Sequence, residues 1–476
     1  LSEQAPEQLR RVLGVADGIG ISVSSMAPTF TIGVGLGVTA AIVGPAMPGI
    51  WILAILPMLG IAAGLARLNV RDANLGSVYH WAGVYLNPWA GFVSAWITVA
   101  GSILLLSYTI QVTGQTTLQT LAAVGALSEE AVANVPAGTI IGVLWLAGLC
   151  FLAVRGVDLA SRFQTVLIVV DVIAVIGICG LALVHGGGET FSFSWFNPLT
   201  AGSLGAVVHG VVITIYLYWG WDNSLRLNEE SRQSSSAGRA AIWSLLLILV
   251  VFLLAQVGFQ RATTIGELVE HGASGLTFVA GRVAGKPGEL IAALALLISV
   301  LAIAQAVVLA TSRQTLGMAR DGVLGRAWGR IHPQWGTPAV GTILVGVIAT
   351  AICVLSAALG SLNQVIAAFV TAIGMPVCLY YAIAGLAVAA AFRRDGGSFT
   401  DRLIVWWFPI ASAVVLFAMA VYLFVINWIT ADGFAFTAAN TRFQDLVALV
   451  VLVGGVPVAL LRRRSPYFLS QSRTNA

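Results

Sequence analysis

The sequence predicts an all-α polytopic membrane protein of twelve transmembrane helices, built as two inverted five-helix repeats with a final pair appended. Three observations carry that prediction. From Gly18 to Ala66 no side chain is charged, and comparable runs recur along most of the 476 residues. About 20 apolar residues span a bilayer as a helix, because hydrocarbon obliges every backbone group to find its partner inside the segment. Charged residues make up 9% of the chain and hydrophobic residues 58%, where soluble domains carry roughly 25% charged residues. Finally, two spans are interrupted by poor helix formers, and they lie five helices apart.

Apolar runs between polar breaks place the spans near 12–38, 45–66, 80–113, 138–154, 161–184, 205–226, 238–260, 288–316, 338–357, 361–389, 402–426 and 443–461. The third and tenth are long enough to tilt or to extend beyond the bilayer. With a cytoplasmic N-terminus, only Arg261, Arg282, Lys286 and Arg442 of the 24 basic residues fall on the outer side. The positive-inside bias therefore puts both termini in the cytoplasm and the protein in the cytoplasmic (inner) membrane. Net charge +4 reflects these helix-end arginines, not one basic patch, so no nucleic-acid partner is expected. Leu1–Arg11 lacks the basic start, apolar core and cleavage site of a signal peptide. Cys150, Cys179, Cys353 and Cys378 lie in apolar runs and imply neither a disulfide nor a zinc site.

The first span reads Gly18-Ile19-Gly20-Ile21-Ser22-Val23-Ser24-Ser25-Met26-Ala27-Pro28-Thr29. Pro28 removes a helical hydrogen bond near mid-membrane, and the small polar run before it can unwind. The sixth reads Tyr216-Leu217-Tyr218-Trp219-Gly220-Trp221-Asp222-Asn223-Ser224, with Gly, Asp, Asn and Ser inside an apolar span. An odd offset inverts the second unit. The expected division is a cytoplasmic segment 1–11, repeats 12–184 and 205–389, helices eleven and twelve within 402–461, and a cytoplasmic tail 462–476. Two ordinary kinks are the alternative, but kinks have no reason to recur at repeat-related positions. A broken helix offers free N–H groups on one half and free carbonyls on the other, so it can hold a carboxylate and an ammonium. Such breaks must line a cavity, not lipid.

Three motifs then resemble the amino acid–polyamine–organocation family of secondary transporters. Gly76-Ser77-Val78-Tyr79-His80-Trp81-Ala82 with Pro88-Trp89-Ala90-Gly91-Phe92 is similar to the family's stretch between helix two and helix three. Trp219-Gly220-Trp221-Asp222 followed by Asn228-Glu229-Glu230-Ser231 resembles its broken sixth helix and following acidic pair. Arg313-Gln314-Thr315-Leu316-Gly317-Met318-Ala319-Arg320-Asp321-Gly322, with His332-Pro333 and Thr337-Pro338, resembles its passage from helix eight to helix nine. The resemblance implies a LeuT-like fold with discontinuous helices one and six. It also implies an acidic gating residue at Asp222 and a substrate-covering aromatic at Tyr216. Two features depart from the family. Its Gly-Ser-Gly-like triplet is replaced by Ser24-Ser25-Met26-Ala27, and the membrane-buried lysine that some members carry in helix five is absent. The chain's one lysine is Lys286, in a loop, and helix five offers Asp171.

Residue by residue, the amides of Ser25, Met26 and Ala27, beside Ser24, are expected to hold a carboxylate. The carbonyls from Tyr216 through Leu217 to Trp219 and Gly220 are expected to hold an amine, with Tyr216 or Trp219 closing over it. Asp222 is read as part of a substrate or proton route, because a carboxylate at membrane depth is expensive; its alternative is a structural partner for Arg226 one turn on. Asp171 either carries a proton or is hydrogen-bonded within the bundle. Ser94, Thr98 and Ser102 form a polar stripe at helical spacing that either faces the cavity or packs helices. His209 reads as a satisfied histidine. Glu229 and Glu230 are placed in a cytoplasmic loop among Arg226, Arg232 and Arg239, as a gate latch or as solvated charge. Ser299 is the hydroxyl in the middle of helix eight, where a sodium site wants several oxygens; proton coupling or exchange is expected over sodium.

The expectation is a secondary active transporter that moves an amino acid by alternating access, as a monomer or homodimer, without cofactor or metal. A polyamine or other organic amine is the alternative substrate, with Asp222 neutralising the cation. A channel would show repeated filter motifs, and a membrane-embedded enzyme would cluster His, Cys or acidic residues; both are remote alternatives.

Overall fold

The computed structural model describes residues 9–395, 397–431 and 433–470. The first eight residues of the N-terminal segment and residues 471–476 of the C-terminal tail lie outside these. α1 (Val15–Met26) ends at Ala27, whose φ of +43° is left-handed, and its N–H closes onto the carbonyls of Val23 and Ser24. α2 (Pro28–Val43) follows at once. Pro28 opens this helix at its first position, where it has no intrahelical bond to lose and its fixed φ suits the turn. The proline therefore starts a second helix instead of bending one. The halves have 12 and 16 residues, or about 18 and 24 Å at 1.5 Å per residue, each shorter than the ~30 Å hydrocarbon core.

α3 (Met47–Arg71) and the short α4 (Val78–Tyr85) precede α5 (Pro88–Ala123). The third span is expected from residue 80, but the chain breaks at Leu86–Asn87. There Asn87 accepts the Ala90 N–H and Pro88 starts the new helix. α6 (Val135–Arg155), α7 (Val157–His185) and α8 (Leu204–Leu217) come next. After Tyr218-Trp219-Gly220 the sixth span continues as a 3₁₀ segment, Trp221–Glu230. Then come α9 (Ser236–Ala262), α10 (Ile265–His271) and α11 (Gly275–Arg320), the last interrupted at Gly285 with φ +62°. α12 (Ala339–Ala358) follows, and the expected tenth span divides into α13 (Gly360–Ala372) and α14 (Gly374–Ala391). A π-helical turn, Leu403–Trp407, leads into α15 (Phe408–Thr430), followed by α16 (Thr441–Val453) and α17 (Val456–Leu461).

Among the described residues, eleven helices are long and apolar enough to cross a membrane. Neither half of the broken first helix reaches that length alone, and the first of the eleven runs from Gly35 in α2 through α3 to Arg71. α11 packs against α1, α2, α5 and α7, and α9 against α1, α3 and α7. Both interrupted segments are therefore enclosed by other helices. Val166, Val169, Val170 and Ile173 of α7 point outward and are exposed, while Asp171 on the same helix is fully buried. This is the pattern of a helix with one face toward lipid and one toward the bundle.

Candidate substrate site at the paired helix breaks

The two breaks meet. Gly220 has φ +114°, and a Cβ placed there would lie 2.6 Å from Cβ of Ser25, so only glycine fits. Ser22 Oγ donates to the Trp221 carbonyl at 2.8 Å and accepts from the Ser224 N–H at 3.3 Å. Asn223 Nδ2 donates to Ser25 Oγ at 2.8 Å, and Ser25 Oγ donates to the Ile21 carbonyl at 2.8 Å. α1 is thereby stitched to the 3₁₀ half of the sixth span. The other two halves also touch, because Gly35 of α2 has room only for the side chain of Leu217.

The amide donors differ from those expected. Ser25 and Met26 belong to the last turn of α1, and the Ala27 N–H is spent on Val23 and Ser24. The turn that starts a helix here is that of α2, with Thr29 and Phe30. The Ser24 hydroxyl is buried with no hydrogen-bond partner among the described residues. On the other break, the Tyr216 carbonyl already accepts the Trp219 N–H at 2.9 Å.

Asp171 sits at the start of α2. Its carboxylate accepts from the Thr29 hydroxyl and, at 3.0 Å, from Ser299 Oγ, which itself accepts the Phe30 N–H at 3.2 Å. Asp171, Thr29 and Ser299 are all fully buried. An acid from α7 thus faces the positive end of a half-helix and receives two hydroxyl donors. Gln164, two turns earlier on α7, is also fully buried and donates to the Ala302 carbonyl of α11 at 3.2 Å.

Asp222 is held from three sides. Arg226 Nη2 lies 3.2 Å away, Tyr381 OH donates at 3.0 Å, and Tyr380 OH donates to the same oxygen that faces Arg226. The Trp221 ring stacks on Tyr381, 5.4 Å between centroids. Asp222 and Arg226 are buried together, so the structural partnership with Arg226 one turn on is present in the fold.

On α5, Ser94 donates to the Gly91 carbonyl and Thr98 to those of Ser94 and Ala95, which occupies both hydroxyls on their own helix. Gly101, beside Ser102, lets the Trp219 ring approach to within 3.0 Å of where its Cβ would stand. Tyr216 and Trp219 have ring centroids 6.5 Å apart.

Glu230 departs from its expected place. It is fully buried and forms a two-point pair with Arg313 of α11, at 2.8 and 2.9 Å, instead of lying in a loop with Arg226, Arg232 and Arg239. Its carbonyl accepts the N–H groups of Val12 and Leu13, both at 2.9 Å. Glu229 pairs with Arg320 at 2.8 Å and accepts the Leu75 N–H. This end of the bundle is packed shut. At the opposite end a cavity of about 810 Å³ descends between α2, α5, α6, α11 and α12 to Phe30 and Gly33, close above the breaks. Tyr108 faces Phe30 there, 6.5 Å between centroids.

Thr29, Asn223, Tyr380, Tyr381 and Arg313 join the site, although the sequence points to no role for them. The adjacent tyrosines in an apolar span, and an arginine at a helix end, were the available signals; their partners lie over 80 residues away in sequence.

Residues 13–455 match the amino acid permease family. The chain is 25% identical over 349 residues to the low-affinity putrescine importer PlaP of Escherichia coli, covering 72% of this chain and 74% of that protein. It is 22% identical to an arginine/ornithine antiporter of Latilactobacillus sakei, with 69% of each chain covered. It is 25% identical to the vacuolar cationic amino acid transporter 4 of Arabidopsis thaliana, over 74% of this chain and 60% of that one. Paired helix breaks in an all-helical membrane bundle and a match over nearly the whole length lead to one conclusion: the chain belongs to the amino acid permease family of the amino acid–polyamine–organocation transporters.

Proposed function

We propose that this transporter carries an amine-bearing solute of net positive charge, an organic diamine or a basic amino acid, by alternating access at the paired breaks. The observation that carries this reading is the Asp171 carboxylate at the start of α2. A half-helix N-terminus favours an anion, and here the protein supplies that anion itself. A solute carboxylate would meet like charge at those donors, whereas an ammonium would meet attraction. Asp222 is already neutralised by Arg226, so the charge left near the breaks is negative. Within the amino acids, the first expectation from the sequence, a basic one keeps support on this ground and one that is neutral overall loses it. The named transport of putrescine, of arginine and ornithine, and of cationic amino acids by relatives supports the same class.

In this reading the end closed by Glu230–Arg313 is cytoplasmic, in keeping with the arginine distribution, and the 810 Å³ cavity is the outer entrance. The first helix counts as one crossing made of two halves, giving twelve in two inverted repeats. Coupling is by protons or by exchange, with Asp171 carrying the change in charge. The Ser24 hydroxyl and the Trp219 ring contribute polar and aromatic contacts to the solute.

Counterflow in proteoliposomes tests the reading with labelled putrescine, lysine and leucine. Accumulation of putrescine or lysine, and not of leucine, is expected. Counterflow of leucine alone would overturn the charge assignment, and equal leakage of all three would point to a channel.

A further inference from the structure

A second cavity of about 330 Å³ lies behind the half-helices α2 and α8, bounded on its far side by α13, α14, α15 and α16. Most of its wall is apolar. Asp445, on the second turn of α16, is fully buried in that wall. Its Oδ1 accepts from Asn427 Nδ2 at 3.0 Å, while its Oδ2 has no hydrogen-bond partner among the described residues. The basic residue next in sequence, Arg442, turns elsewhere. It donates twice to the Trp428 carbonyl, at 2.6 and 3.1 Å, and lies over the Trp428 ring. The other titratable groups on the cavity wall are His209 and Tyr216.

An ionisable group buried in a spanning helix pairs with an opposite charge or marks a ligand route, and here a carboxylate on a cavity wall has one oxygen with no partner among the described residues. The volume is at the small end of ligand sites, and a mostly apolar wall with a few placed polar groups, here Asn427, Thr441, Gln444 and Asp445 among them, is their usual composition. We propose that this cavity is a second binding site, for a primary ammonium group on a short apolar body, with Asp445 as its counter-charge. Tyr216 and Leu217 belong both to this wall and to the break in the sixth span. An occupant therefore braces α2 and α8 from behind and acts on their movement without being carried. The site is independent of the transport reading, since it uses neither Asp171 nor Asp222.

Two sources carry this chemistry: a free alkylamine and the ethanolamine headgroup of a lipid. The test uses the full chain in nanodiscs of phosphatidylcholine and phosphatidylglycerol, with calorimetric titration of n-butylammonium and n-butanol as the uncharged control. Saturable binding of butylammonium that excess putrescine does not displace is expected, with none for butanol. Affinity falls tenfold or more in Asp445→Asn. It also falls in Ile213→Trp, which fills the cavity and leaves the carboxylate in place. Discs containing phosphatidylethanolamine weaken butylammonium binding if the headgroup occupies the site, and leave it unchanged if the occupant is a free amine; either result is the occupancy proposed. Undiminished binding in a folded variant overturns the site. So does displacement by putrescine, or absence of binding to the wild type, and these two readings stand even if both variants fail to fold.

Discussion

Asp171 of α7 and Ser299 of α11 are joined by a 3.0 Å hydrogen bond, and the Phe30 N–H of α2 donates to the same serine oxygen. α7 and α11 are thereby both tied to the first turn of α2, the half-helix that follows the break. A charged acceptor makes such bonds worth about 1.5–3 kcal/mol each. Asp171→Asn keeps the shape and removes the charge. Counterflow of a cationic solute is expected to fall tenfold or more, and its pH dependence to flatten, with the protein still folded. Ser299→Ala removes one donor and costs less. Wild-type counterflow across the pH range in Asp171→Asn would show that the carboxylate only holds helices together.

The Asp222–Arg226 pair predicts a stability result. Removing one partner of a buried ion pair costs about 3–5 kcal/mol, because the other is left uncompensated. Asp222→Asn should lower the unfolding temperature in detergent, and the double change Asp222→Asn with Arg226→Met should recover most of the loss. If the double variant is no better than the single one, Tyr380 and Tyr381 hold Asp222 for a reason other than Arg226.

Gly220→Ala adds one methyl group where Ser25 leaves no space and where φ is +114°. Left-handed backbone alone costs an L-residue about 1–2 kcal/mol. The two breaks should separate, and transport should be lost with membrane insertion retained. Measured uptake at the wild-type rate would mean that the contact between breaks is dispensable.

Glu230→Gln tests the closed end. It weakens a two-point pair to Arg313 that is wholly buried. On a Ser231→Cys background, thiol labelling from that end should speed several-fold. The four native cysteines are buried and should stay silent. Unchanged labelling would place the seal elsewhere, for example at Glu229–Arg320.

A pH effect is expected from the connector that carries α10. Hydrogen bonds from Arg282, at 2.9 Å and closer, hold the Glu267 carboxyl down at about 2, aided by the Thr264 N–H. A depressed carboxylate contributes stability that is whole above its ordinary value near 4.5 and is lost as the pH falls toward 2. Arg282→Gln should therefore flatten the fall of the unfolding midpoint between these limits and change nothing at pH 7 beyond the lost pair. An identical acid profile in wild type and variant would discount the contact, which is solvent-exposed and screened.

The spans, and the places where two of them fail, were legible residue by residue. Uncharged runs of membrane length have no other stable form, and Pro28 and Gly220 mark the breaks directly. The division of the third span was legible as well in Asn87-Pro88, a cap followed by a helix-starting proline, but it sits in a run apolar enough to read as one helix. Glu230 was misplaced for a different reason. Sequence proximity offered Arg226, Arg232 and Arg239 as partners, while the actual partner, Arg313, is brought in by the packing of α11 against the 3₁₀ segment.

The sequence by itself determined that this chain lies in a membrane, where most of its apolar spans run, and which two helices are interrupted at their middle, because each of these depends on local composition and on backbone chemistry. Only the tertiary structure decided which groups the interruptions offer. That Asp171 faces the start of α2, that two tyrosines of α14 close on the Asp222–Arg226 pair, and that Asp445 lies on the wall of an apolar cavity all depend on distant segments meeting. Charge at membrane depth takes its meaning from its partner, and a partner more than a hundred residues away is set by helix packing alone.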